Sequence, residues 1–218
     1  MDWEQEIMSR INSFTGQNPW SVFGSFLQIE TAALRSQTLD DIREPMRKEF
    51  REQAKGYSLQ QMKTFMEIHG ILCGEALGNI RNNTYTDMCG RIYHIINMQN
   101  SKTGQFFTPQ HIADLTSAIA VSEKEIESQI HERGYVKLAE PASGGGAMVL
   151  GVAKRMQGLG YNPQRQLKVH AYDIDKTCCC MTYVQMALYG IPAVVFHGDS
   201  LSGKIWDAWP TLDYLMRF

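Results

Sequence analysis

A chain of 218 residues with 44% hydrophobic and 20% charged side chains has ordinary globular composition, which excludes disordered and collagen-like classes. The formal net charge is −2, and it is evenly spread: 11 basic and 12 acidic residues over 1–103, 10 and 11 over 104–218. That balance excludes a basic nucleic-acid-gripping tail, so any contact with DNA is expected to be weak or partner-assisted. No apolar run is long enough to span a bilayer. The start, Met1-Asp2-Trp3-Glu4, lacks the apolar stretch of a secretory signal. A cytoplasmic protein with no membrane association is the expectation.

Residues 1–103 read as an all-helical N-terminal domain. From Ser21 to about Arg35, Val22, Phe23, Phe26, Leu27, Ala33 and Leu34 recur near helical spacing. Thr38 to about Lys55 is charged, and Pro45 is expected to begin or kink a helix there. Ser58-Leu59-Gln60-Gln61 has the form of a capping box, followed by Met62, Phe65, Met66, Ile71 and Leu72. Asn82-Asn83 reads as a loop. Thr86 is placed to cap a further helix carrying Ile92, Ile95 and Ile96.

Residues 104–218 alternate strand and helix, with the boundary near Asn100 to Gly104. Thr108-Pro109 reads as a helix start, and Ser122 to Glu125 as a second capping box. Val136–Ala139, Leu167–Tyr172 and Ala193–Phe196 are strand candidates, and Leu212–Met216 a fourth. Helices are expected from Ala147 to Gln157 and from Lys176 to Tyr189, with Gly190 as a stop. Strands separated by helices imply right-handed crossovers and a parallel sheet. The fold class expected is α/β, with a partial parallel sheet.

Five cysteines and six histidines show no CxxC pair, HExxH or zinc spacing, so no metal is expected. Cys178, Cys179 and Cys180 are consecutive and point in different directions. All five read as reduced thiols, mostly buried as small apolar side chains. His69 and His94 read as ordinary helix-surface or half-buried residues.

Glu140-Pro141-Ala142-Ser143-Gly144-Gly145-Gly146 follows a strand and precedes a helix. A doubly wound sheet binds its ligand at such a place. The leading acid repels a phosphate and suits an ammonium or sulfonium group, and no GxxxxGK[ST] occurs. Asp173 ends the second strand, placed to accept from ribose hydroxyls. Asp199 ends the third, placed to accept from an exocyclic adenine amine. Three acids at three successive strand ends fit S-adenosylmethionine better than NAD.

Gly104-Gln105-Phe106-Phe107-Thr108-Pro109 resembles the GQFYTP signature of N6-adenine DNA methyltransferases, most of all the modification subunits of type I restriction systems. Glu140 to Gly146 resembles their DPACGSG loop, with Glu for Asp and Ser143 for Cys. Ala171-Tyr172-Asp173-Ile174-Asp175 resembles GxEID, and His197 to Leu201 their third motif. The four motifs stand in the family's order. The resemblance implies a Rossmann-type methyltransferase core with S-adenosylmethionine as cofactor. Thr108 and Pro109 would hold the methionine carboxylate, with Phe107 packed over the cofactor or simply over the helix below it. Glu140, Pro141, Ala142, Ser143, Gly144 and Gly146 would form the loop beneath the methionine and sulfonium. Asp173 would bind the ribose, Ile174 would face the adenine, Asp199 would meet its amine and Leu201 would cover it.

The family's Asn/Asp/Ser-Pro-Pro-aromatic segment has no counterpart in residues 1–218. Asn18-Pro19-Trp20 lacks the second proline and reads as a helix-capping turn. No catalytic residue is therefore assigned, and the core reads as shortened at its C-terminus. The expected activity is methylation of adenine N6 in DNA, as part of a restriction–modification system. The expected partners are DNA, a specificity or restriction subunit, or a second copy. The alternative is a non-catalytic cofactor-binding or decoy subunit acting on a DNA-modification partner.

Overall fold

The structure is a computed structural model that describes residues 2–38, 40–99 and 108–218. The helical half begins with α1 (Trp3–Asn12) and α2 (Pro19–Arg35). Asn18 caps α2, its Oδ1 accepting from Trp20 N at 2.9 Å, with Pro19 at the first helical position. The capping turn expected there is what forms. α3 (Asp40–Ala54) runs through Pro45. The proline thus neither begins nor ends the helix, which packs along α2 and tolerates one missing amide donor.

α4 (Leu59–Asn82) starts in a reciprocal capping box between Ser58 and Gln61. It ends at Asn83, which takes the left-handed conformation at φ 52°. The cap of α5 (Met88–Gln99) is Asp87 rather than Thr86: the Asp87 Oδ1 accepts from Gly90 N at 2.8 Å. α6 (Gln110–Ala120) starts after Pro109 with no side-chain cap, so Thr108 is not its N-cap. α7 (Glu123–Arg133) is capped by Ser122 and stops at Gly134.

Four strands follow: β1 (Val136–Glu140), β2 (Leu167–Asp173), β3 (Ala193–Asp199) and β4 (Lys204–Pro210). They form one sheet in chain order, with β1, β2 and β3 parallel. The crossovers are α8 (Ala147–Gly158) with α9 (Pro163–Gln166), then α10 (Lys176–Leu188). The fourth strand departs from expectation. Residues Leu212–Arg217 are a short helix, α11, and β4 lies earlier and pairs antiparallel with β3. The sheet is therefore mixed. Thr211 sets the change: fully buried, its Oγ1 accepts from Ala193 N and Tyr214 N, which ends the strand and caps the helix. Near the hairpin the register shifts between His197 and Gly198. A Cβ on Gly198 would lie 2.4 Å from the Lys204 carbonyl, so only glycine fits that bulge.

α10 shows why the two halves form one body. Its residues from Cys178 to Met186 are all buried, without an exposed stripe. One side meets β2 and β3, the other meets α2, α4 and α5. The apolar cluster runs unbroken from Ile7 in α1 to Trp209 in β4. Polar bonds cross it too. The buried Tyr189 hydroxyl accepts from Asn79 Nδ2 at 3.0 Å and Thr86 N at 3.1 Å, and donates to Thr86 O at 2.8 Å.

Removing that hydroxyl strands the buried Asn79 Nδ2 and the half-buried N–H and carbonyl of Thr86. Tyr189→Phe is expected to cost about 1–3 kcal/mol in urea denaturation. A midpoint equal to wild type would show that these bonds do not tie the halves together.

Candidate functional site

The glycine loop leaves the carboxyl end of β1 and enters α8. Gly144 and Gly146 take positive φ, 52° and 98°, so the chain turns tightly and offers bare backbone. The loop is held from three sides. Gly144 N donates to Asp173 Oδ2 at 2.8 Å, and Ser143 N donates to Tyr172 O at 2.8 Å. Thr182 on α10 donates to Gly144 O at 2.9 Å, within reach of the buried Ser143 Oγ at 3.2 Å.

A cavity of about 220 Å³ opens over this loop, lined by Thr108, Ala142, Ser143, Gly144 and Gly145, with Asp173 and Asp87 on its walls. A second cavity, about 330 Å³, adjoins it between α1, α5 and the start of α6, and shares Asp87 and Thr108. Pro109 lines the second cavity, not the first. Glu140 stands at the end of β1, where its Oε1 accepts from Ala142 N at 3.1 Å. Burial raises its pKa, and the nearby Asp173 charge adds to that. Pro141 is exposed beside it, and Gly146 caps α8.

The strand ends beyond Asp173 are more open. Ile174 is 63% exposed and Leu201 97%, both unusual for large apolar side chains at a sheet edge. Asp199 bonds its own turn: Oδ1 accepts from Leu201 N and Ser202 N, and Oδ2 from Ser202 Oγ at 2.7 Å. Those bonds hold its pKa below the usual carboxylate value. Asp199 and Leu201 do not line the loop cavity. Phe107 lies outside the described residues, as do Gly104, Gln105 and Phe106. Among the described residues no group of three or more His, Cys, Asp or Glu side chains gathers as metal ligands, and no helix is long and apolar enough to cross a membrane.

Two residues at the site were not read from the sequence. Asp87 is buried under the loop, and burial raises its pKa strongly enough to outweigh its bonds to Gly90 and Gln185. Gln185, fully buried on α10, donates from Nε2 to Asp87 Oδ1 at 2.8 Å and to the Gly145 carbonyl. Its Oε1 accepts from Met88 N at 2.7 Å and Cys89 N at 3.3 Å. An Asp directly before the α5 run carried an N-cap signal. Gln185 sits in an apolar helical run that gives no such signal.

A Cβ on Gly145 would lie 2.6 Å from Asp87 Oδ2, so Gly145→Ala is expected to destabilise the fold by about 1–3 kcal/mol in thermal melts. An unchanged melt would mean that Asp87 does not fix the loop. The raised Asp87 pKa also gives a pH signature. The folded state holds this proton more tightly than the unfolded chain, whose pKa is near 3.8. Stability from this group is therefore complete below about pH 4 and is lost as pH rises through the folded value. Asp87→Asn should shrink the fall in unfolding free energy between pH 4 and pH 7. An undiminished fall would assign it to other groups.

The sequence profile of the family described as N-6 DNA methylase matches residues 84–217. Among curated proteins none matches the chain. A solved structure from Listeria monocytogenes, provisionally assigned as a class I S-adenosylmethionine-dependent methyltransferase, is similar with a TM-score of 0.42 and 15% identity. The similarity covers 86% of this chain and 56% of that one, so this chain spans about half its length. The profile spans well over half of the chain, from the end of α4 through α11, and the chain belongs to the N-6 DNA methylase family.

Proposed function

We propose that this chain binds S-adenosylmethionine over its glycine loop and serves methylation of adenine N6 in DNA. The observation that carries the reading is the loop cavity, where Thr108, Ala142 to Gly145 and Asp173 converge. The donor set fits the cofactor's charge. Asp87, Glu140 and Asp173 cluster around the loop, which disfavours phosphates and attracts an ammonium and a sulfonium. At about 220 Å³ the cavity is smaller than the usual ~300–1,000 Å³ ligand site, so it suits the methionine end. The exposed Ile174 and Leu201 then supply apolar cover for the adenosine end. When bound, the cofactor supplies a methyl group activated by the positive sulfur.

Each residue's part follows from its contacts. Asp173 holds the loop through Gly144 N and keeps further lone pairs for ribose hydroxyls. Glu140 and Asp173 orient the positive groups. Thr108 stands on the wall assigned to the methionine end. Methyl transfer itself needs acceptors that hold the adenine amine in line with the methyl. Residues 1–218 contain no Asn/Asp/Ser-Pro-Pro-aromatic segment to provide them. We infer that the acceptors come from outside these residues, and that DNA is brought by a recognition subunit of a restriction–modification system. The same absence favours the second reading, a cofactor-binding subunit without catalysis of its own.

Titration calorimetry separates these premises. Wild-type protein is expected to bind S-adenosylmethionine, and Asp173→Ala to bind about ten- to a hundredfold more weakly, the cost of unpaired ribose hydroxyls. Equal affinities would remove Asp173 from the site, and no binding by the wild type would overturn the proposal.

A further inference from the structure

A second chemical cluster lies on the helical half, away from the glycine loop. Three side chains form a line across α2 and α4. Glu30 on α2 places Oε1 2.8 Å from Nδ1 of His69 on α4. One turn further along α4, the Cys73 sulfur lies 3.3 Å from Nε2 of the same ring. Acid, imidazole and thiol thus stand in series, the order in which a base-assisted nucleophile is built. We propose that Cys73 is a nucleophilic thiol, served by His69 as base and by Glu30 as the orienting carboxylate, and that it takes low-molecular-weight disulfides.

The surroundings support reaction with small molecules. Glu30 is largely covered, its side chain 12% exposed, so the carboxylate is fixed while the ring is 39% exposed. Cys73 is half-buried, and Gly70 and Gly74 flank it with nothing within 4 Å of where a Cβ would stand. Space is therefore open beside α4 at both glycines that flank Cys73. Its bond and that to Glu30 push the His69 pKa up to about 10, so the ring keeps its proton at neutral pH. Both ring nitrogens then donate, Nδ1 to Glu30 and Nε2 to sulfur, which leaves sulfur lone pairs as the nucleophile. The other four thiols differ. Cys89, Cys178, Cys179 and Cys180 are buried, and burial pushes each of their pKa values up.

The step balances without a further reagent. The proton given up by Cys73 already sits on the His69 ring, so the attacking sulfur is a thiolate held by Nε2–H. The sulfur attacks one sulfur of the disulfide, forming a new S–S bond as the old one breaks. The departing half leaves as a thiolate and takes the proton from Nε2. Cys73 is oxidised to a mixed disulfide and the departing half is reduced to a thiol.

The test uses neutral iodoacetamide and oxidised glutathione at pH 7, with adducts located by peptide mass mapping. A free thiol is only a few per cent ionised at that pH. Assistance by the ring should therefore make Cys73 roughly tenfold faster than N-acetylcysteine, after the loss of intrinsic nucleophilicity. His69→Gln should return it to the free-thiol rate or below, and Glu30→Gln should slow it. Glutathione should add once, at Cys73, and leave on treatment with dithiothreitol. A wild-type Cys73 no faster than N-acetylcysteine overturns the proposal, as does an unchanged rate in a folded His69→Gln variant. The four buried cysteines report folding in every sample: where they label in a variant, the comparison of wild type with N-acetylcysteine decides alone.

Discussion

The carboxamide of Gln185 is the point on which the two halves of the molecule meet. Fully buried, it gives its oxygen to the first amides of α5 and its nitrogen to Asp87 and the Gly145 carbonyl. Each of these groups would otherwise be a polar atom sealed from water, and each such atom costs about 1–3 kcal/mol. The first turn of α5 and the glycine loop are therefore satisfied by one side chain on a third element. The loop is a wall shared by the sheet and by the helical half. Gly90 and Gly145 must be glycine for the same reason, since a Cβ at either would strike the Asp87 carboxylate.

Charge then decides what such a wall can face. A helix N-terminus preceded by glycines ordinarily attracts anions. Here Asp173 already accepts from Gly144 N, and Glu140 from Ala142 N. These two loop amides are turned toward the protein's own carboxylates rather than toward a ligand. That arrangement disfavours a phosphate at the loop. Burial makes both Glu140 and Asp87 hold protons more tightly than isolated acids, and for Glu140 the charge of Asp173 adds to it.

Much of this was legible in the sequence because local chemistry and global fold agree there. Asn18-Pro19, Ser58 to Gln61 and the β1–loop–α8 unit carry their own start and stop signals. Three of the four strands lie where apolar runs placed them. The failures have physical causes. β4 goes unread because it is an edge strand whose Lys204 and Asp207 interrupt the apolar Ile205, Trp206 and Trp209, and Lys204 to Ala208 are open to solvent. Leu212 to Met216 looks apolar enough for a strand, but the Thr211 cap makes it helical. Pro45 does not begin α3 but lies inside it, where packing on α2 offsets one lost hydrogen bond. The contacts of Gln185 and the pairing of Glu30 with His69 are invisible from spacing alone, since they join residues from separate elements.

Hydrogen–deuterium exchange with and without S-adenosylmethionine tests the location of the site most directly. The predicted result is slowed exchange confined to the amides of Ala142 to Met148 and Asp173 to Cys178, with the rest of the sheet unchanged. Binding that leaves both segments unprotected, or that protects only the helical half, would contradict a cofactor seated on the glycine loop.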